Sequence, residues 1–94
     1  MNKRQLVAAA ARRTSLTQRQ VRQALEALLD TISEAMANDE FVALSDFGRF
    51  EAQRYSGRKL RRFGGQGQFA VEERRVPIFR SSEALRRRVR EKKI

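Results

Sequence analysis

The chain has 94 residues, with 21 Lys and Arg against 11 Asp and Glu, so its formal charge at neutral pH is +10. It contains no His and no Cys, which excludes disulfides, thiolate or imidazole metal sites, cysteine nucleophiles and the commonest general base. With 40% hydrophobic residues and no run near the roughly 20 apolar residues of a membrane span, the composition predicts one soluble, intracellular, non-enzymatic domain that binds a polyanion without a cofactor.

The elements follow in chain order. Asn2 is a good N-cap with Gln5 at N3, and Met1 and Leu6 stand at staple positions, so a helix is expected from about Lys3 with Leu6, Val7, Ala10 and Ala11 as its buried stripe. Thr17 and Gln20 form a second capping box, with Leu16 and Val21 as its staple. A long helix then runs from about Gln18 to Ala37. Its apolar residues Val21, Ala24, Leu25, Leu28, Leu29, Ile32, Ala35 and Met36 recur at spacings of three and four. Asn38 and Asp39 close it.

The apolar period then changes from helical to alternating. Phe41 to Leu44 reads as a strand, Ser45-Asp46-Phe47-Gly48 as a turn and Arg49 to Tyr55 as a second strand. From Ser56 to Gln68 the chain is basic and glycine-bearing, and Phe69 to Val71 and Arg75 to Arg80 are again extended. These segments predict a long hairpin whose tip lies near residues 63–67, because glycine supplies the positive φ of hairpin turns. A final helix is expected from Ser81 or Ser82, with Ala84, Leu85 and Val89 inward and Arg86, Arg87, Arg88 and Arg90 outward.

Charge divides the chain unevenly. Residues 1–50 carry seven basic and six acidic groups, whereas residues 51–94 carry fourteen and five. Seventeen of the 21 basic residues are Arg, whose planar fork suits phosphate and the narrow, electronegative minor groove of DNA. Residues 54–71 contain no acid, and a ribbon of one sign is an electrostatic footprint for nucleic acid. The hairpin also carries too few apolar groups to form a core. The remaining chain offers more apolar surface than so thin a body covers, which predicts an obligate dimer.

The ordered set Met1-Asn-Lys-Arg-Gln-Leu6, Leu16-Thr17, Asp46-Phe-Gly-Arg-Phe-Glu51, Gly57-Arg-Lys59 with Arg61, Val76-Pro-Ile-Phe-Arg80 and Ala84-Leu85 resembles the HU and integration host factor family of bacterial DNA-bending proteins. The resemblance covers essentially the whole chain. It implies an α+β fold forming an intertwined dimer: a helical base, a three-stranded antiparallel sheet per subunit forming a saddle, and a protruding β-hairpin arm. Residues 1–94 are then one DNA-binding domain. Residues 1–44 hold the helical dimerisation part and first strand, 45–80 the sheet and an arm at about 54–76, and 81–94 the last helix.

The implied function is architectural: the protein bends or wraps double-stranded DNA through minor-groove arms with low sequence specificity, and helps compact the bacterial chromosome as a cytoplasmic, nucleoid-associated protein. Carried over by position, the DNA contacts are Arg54, Arg58, Lys59, Arg61 and Arg62 on the outgoing arm strand, Arg74 and Arg75 on the return, and Lys3, Arg80 and Arg86 on the body. Leu25, Leu29, Ile32, Phe47, Phe50 and Phe79 fall in the dimer core. The expected partners are duplex DNA and a second copy of the chain or a paralogue, with no membrane and no small-molecule substrate.

Three departures from the family pattern stand out. Arg62-Phe63 replaces the arm-tip Asn-Pro, Asp46 stands where Gly is common, and Glu83 stands where a basic residue is frequent. Phe63, flat and apolar, is the expected substitute for the proline that wedges between base pairs, against the alternative of packing across the hairpin on Leu60 or Phe69. Phe47, Phe50 and Phe79 as stacking platforms for single-stranded bases is the alternative to their core role. Two other functions remain open at this level: an RNA-binding or ribosome-associated basic protein, and a DNA-bridging structural protein.

Overall fold

A computed structural model describes residues 1–55, 59–61, 68–70 and 73–92, with 59–61 and 68–70 described by backbone alone. The described residues form an α+β fold of three helices, a three-stranded antiparallel sheet and a separate two-stranded one. Residues 1–34 and 35–94 form two compact units.

In the first unit, helix α1 spans Lys3–Ala11 and opens on the expected reciprocal cap. The Gln5 amide donates to Asn2 Oδ1 and the Asn2 amide to Gln5 Oε1, both at 2.9 Å. Helix α2, Gln18–Ala37, opens the same way: the Gln20 amide donates to Thr17 Oγ1 at 3.1 Å and the Thr17 amide to Gln20 Oε1 at 2.9 Å. These bonds satisfy helix-terminal amides that would otherwise lack partners, which is why the two boundaries fall where the cap residues stand. Of the stripe expected on α1, Val7 is buried and Ala10 and Ala11 are half-buried, while Leu6 is exposed. Met1 is also exposed, so the first staple has no burial to show for it.

The second unit begins at the last turn of α2. The Asp39 amide donates to the Met36 carbonyl at 3.1 Å and the Glu40 amide to the Ala35 carbonyl at 2.9 Å. This is the paired-bond helix terminus that usually places glycine in the left-handed region. Here Asp39 takes that conformation, with φ 60°.

Strand β1 (Val42–Leu44) pairs with β2 (Gly48–Tyr55), and β2 pairs with β5 (Arg74–Ser81) through eight opposed residues, from Gly48↔Ser81 to Tyr55↔Arg74. Alternation sorts the opposed pairs onto two faces. Val42, Phe50, Phe79, Ala52 and Pro77 share one face with Arg54 and Arg75; Arg49 and Arg80, Glu51 and Ile78, and Tyr55 and Arg74 share the other. Pro77 is tolerated because β5 is an edge of the sheet. Farther along, β3 (Lys59–Arg61) pairs antiparallel with β4 (Gln68–Ala70), as the predicted hairpin requires. Residues 62–67, which include the predicted tip, lie outside the described residues.

At the β1–β2 turn the Phe47 amide donates to the Leu44 carbonyl at 3.0 Å, and Asp46 has φ 63°. Asp is among the few non-glycine residues that take this conformation readily, so the replacement of glycine there leaves the turn in place. Helix α3, Glu83–Glu91, is capped by Ser82, whose Oγ accepts from the Leu85 amide at 3.0 Å. The Ser82 amide in turn donates to the Phe47 carbonyl at 2.9 Å and fixes the helix start to the turn. Of the residues expected on its inner side, Leu85 is half-buried, whereas Ala84 and Val89 are exposed along an open groove shared with Asp46, Phe47, Arg88 and Lys92. Among the described residues nothing covers that side.

Candidate nucleic-acid interface

Phe47, Phe50 and Phe79 meet on the sheet, with ring centroids 5.5 Å apart for Phe47 and Phe79 and 4.9 Å for Phe50 and Phe79. Gly48 makes the arrangement possible: a Cβ there would stand 2.6 Å from the Phe79 ring and from the Arg80 carbonyl oxygen. The Phe-Gly-x-Phe spacing therefore has a steric cause. The cluster remains open to solvent, with Phe47 45% and Phe79 42% exposed. On α2, Leu29 is likewise exposed, and Leu25 and Ile32 are half-buried.

The β2·β5 ribbon carries the phosphate candidates outward from this cluster. Arg54 and Arg75 are direct cross-strand partners, a like-charge opposition that is unfavourable without a counter-ion. Asp39 supplies it. Arg54 Nη2 lies 2.6 Å from Asp39 Oδ2 and Arg75 Nη1 lies 3.1 Å from Oδ1. Arg54 also reaches Glu73 at 3.2 Å, and Arg75 donates to the Ala37 carbonyl at 2.8 Å, satisfying one of the terminal acceptors of α2. Hydrogen bonds from Arg54 and then Arg75 hold the Asp39 carboxyl below its ordinary value, and the same carboxylate raises Arg54.

The body arginines repeat the theme. Arg49 and Arg80, opposed on the other face, both pair with Glu51, Arg49 at 3.4 Å. Arg86 pairs with Glu83 at 3.2 Å and donates to the Ser81 carbonyl; Arg90 reaches Glu83 at 3.5 Å. Lys3 lies 3.9 Å from Glu26. Arg74 instead lies over the Tyr55 ring, 5.6 Å from its centroid, and Arg49 over Phe41 at 4.0 Å. Lys59 and Arg61 belong to β3. Arg58, Arg62 and Phe63 lie outside the described residues.

Apart from Glu83, whose pairing with Arg86 is local to α3, the acidic partners leave no trace in a count of net charge. Asp39, Glu51 and Glu73 hold the arginines by contacts that span the fold, and Asp39 announces itself in the sequence only as an Asp just past a helix end, where glycine is usual. Among the described residues no group of acids could hold a metal, and no helix is long and apolar enough to cross a membrane.

Comparison with known proteins is consistent over the full chain. The family described as "Bacterial DNA-binding protein" matches residues 1–90. The DNA-binding protein HU of Thermotoga maritima is 31% identical over 90 residues, covering 96% of this chain and 100% of its own; that of a Nostoc species is 35% identical, covering 95% of each. Among solved structures, the Anabaena HU–DNA cocrystal structure superposes with a TM-score of 0.80 at 34% identity, covering 98% of this chain and 100% of that one. HU from Thermotoga maritima superposes at 0.68 with 29% identity, covering 95% and 98%. Family match, identity and fold agree: this chain belongs to the bacterial DNA-binding protein family, the HU type.

Proposed function

We propose that this HU-type protein, which is not an enzyme, binds double-stranded DNA as a dimer, lays its β-arms along the minor groove, and bends or wraps the duplex with low sequence preference. The observation that carries this reading is the eight-residue β2·β5 pairing, which leads into a span, residues 54–71, with five basic groups and no acid. Arg54, Arg58, Lys59, Arg61 and Arg62, with Arg74 and Arg75 on the return strand, are the arm contacts; Lys3, Arg80 and Arg86 flank them on the body. Phe63 is the wedge. The setting in which such a protein compacts a chromosome is the bacterial nucleoid.

Dimerisation is supported by the incomplete aromatic cluster, the uncovered side of α3 and the exposed Leu29. A second copy covers them at no sequence cost, and a paralogue with the same face is the other arrangement that does so. Residues 1–94 then act as one DNA-binding domain whose first 44 residues serve chiefly assembly.

The test is the salt dependence of affinity for a short duplex. If about 6–10 phosphates are neutralised, affinity falls by about 10³–10⁵ between about 50 and 200 mM salt, and changes little with duplex sequence. Duplex RNA competes poorly, because its wide, shallow minor groove suits a narrow arm badly. A salt slope near zero, or equal competition by duplex RNA, contradicts the reading.

A further inference from the structure

We propose, resting on the duplex-binding reading above, that Asp39 is an internal competitor of DNA phosphate for Arg54 and Arg75, setting the affinity of the arm base for DNA. Three observations meet here. The two arginines are opposed in register on one face of the ribbon, so both guanidinium groups serve the same small region. Asp39 reaches each of them with a different carboxylate oxygen, and its backbone is held in place by the two hydrogen bonds that end α2. The carboxylate is thus a fixed feature of the arm base and needs no rearrangement to engage.

With Glu73 also on Arg54, the four linked groups balance one another, two positive against two negative. Both arginines that the register opposes there are already paired. All members are nevertheless open to solvent, with side chains 59% (Arg54), 44% (Arg75) and 38% (Asp39) exposed, so a phosphate can reach them. A carboxylate and a phosphate oxygen pair present the same acceptors to a guanidinium fork. They are alternative ligands of one site, and the exposed ion pair favours its own partner by up to about fivefold, so in the parent complex the arginines stay largely on Asp39.

The arrangement is independent of pH in the ordinary range, since the groups facing Asp39 are both arginines and its carboxyl lies below its usual value. It responds to salt and to DNA. Release of the two arginines adds phosphate contacts, each contributing about 0.9 to the logarithmic salt slope on B-DNA.

The experiment measures duplex affinity and its salt slope for the full chain and three variants. Asp39→Asn removes the charge and keeps a residue that tolerates positive φ; Asp39→Gly removes the side chain and supplies the residue that conformation favours. Asp30→Asn changes net charge equally at an exposed position of α2 with no ion pair among the described residues. Both Asp39 variants are expected to bind about three- to twentyfold more tightly at about 50 mM salt, with a slope steeper by about one to two. Asp30→Asn is expected to change affinity less than twofold at an unchanged slope. Asp39 variants that match Asp30→Asn, or bind more weakly than the parent, overturn the proposal while leaving duplex binding intact. No duplex binding by the parent chain overturns the functional reading itself.

Discussion

Gly48 shows how one residue without a side chain organises the sheet. Its hydrogen sits where a methyl group would meet both a backbone carbonyl and the Phe79 ring at 2.6 Å, so Gly48→Ala forces either the strand pair or the aromatic cluster to move. Overpacking of this kind costs about 1–3 kcal/mol, and thermal unfolding should show it; an unchanged melting temperature contradicts the steric account. Asp39 gives a second prediction at this scale. Because Arg54 and Arg75 lower its folded value, the contacts are complete at neutral pH, persist below the ordinary value of 3.8, and are lost as pH falls through the lowered value. An NMR titration of the Asp39 carboxyl carbon should give a midpoint below 3.8. A midpoint above it contradicts the two-arginine clamp.

At the scale of elements, local chemistry was legible and distant chemistry was not. Asn2 with Gln5 and Thr17 with Gln20 mark the starts of α1 and α2 because a cap is a contract between residues three apart. Ser82 does the same for α3, and Ser82→Ala should cost about 1 kcal/mol of stability. The turn before Gly48 and the alternation of β2 and β5 were legible for the same reason of short range. The pairing of Arg54 and Arg75 with Asp39, 15 and 36 residues away, leaves no periodic trace, and a count of charges assigns those arginines wholly to DNA. Exposure of Leu6, Ala84 and Val89 was equally hidden, since apolar spacing tells which face seeks cover and not whether the same chain supplies it. For the arm itself, Arg58→Ala and Arg61→Ala should each flatten the salt slope by about 0.9 if each contacts one phosphate. A slope unchanged by both places the phosphate contacts elsewhere.

The whole molecule is defined by two unsatisfied surfaces, one apolar and one basic. The apolar surface centres on Phe47 and Phe79, and a buried Phe truncated to Ala loses about 3–5 kcal/mol. If a second copy completes the cluster, Phe47→Ala unfolds the protein instead of releasing folded monomers, as circular dichroism and light scattering together would record. A folded monomer at micromolar concentration contradicts the dimer. The basic groups concentrate in residues 54–71, which hold five of them and no acid, and Phe63 is the proposed wedge; unstacking a base step costs a few kcal/mol and is offset by the added contacts that a bent duplex allows. Bending is read out by the end-to-end distance of a short duplex labelled with a dye at each end and saturated with protein. Binding should shorten that distance clearly, and Phe63→Ala should reduce the shortening while leaving the salt slope nearly unchanged. A duplex that is fully bound and keeps its free length would contradict it.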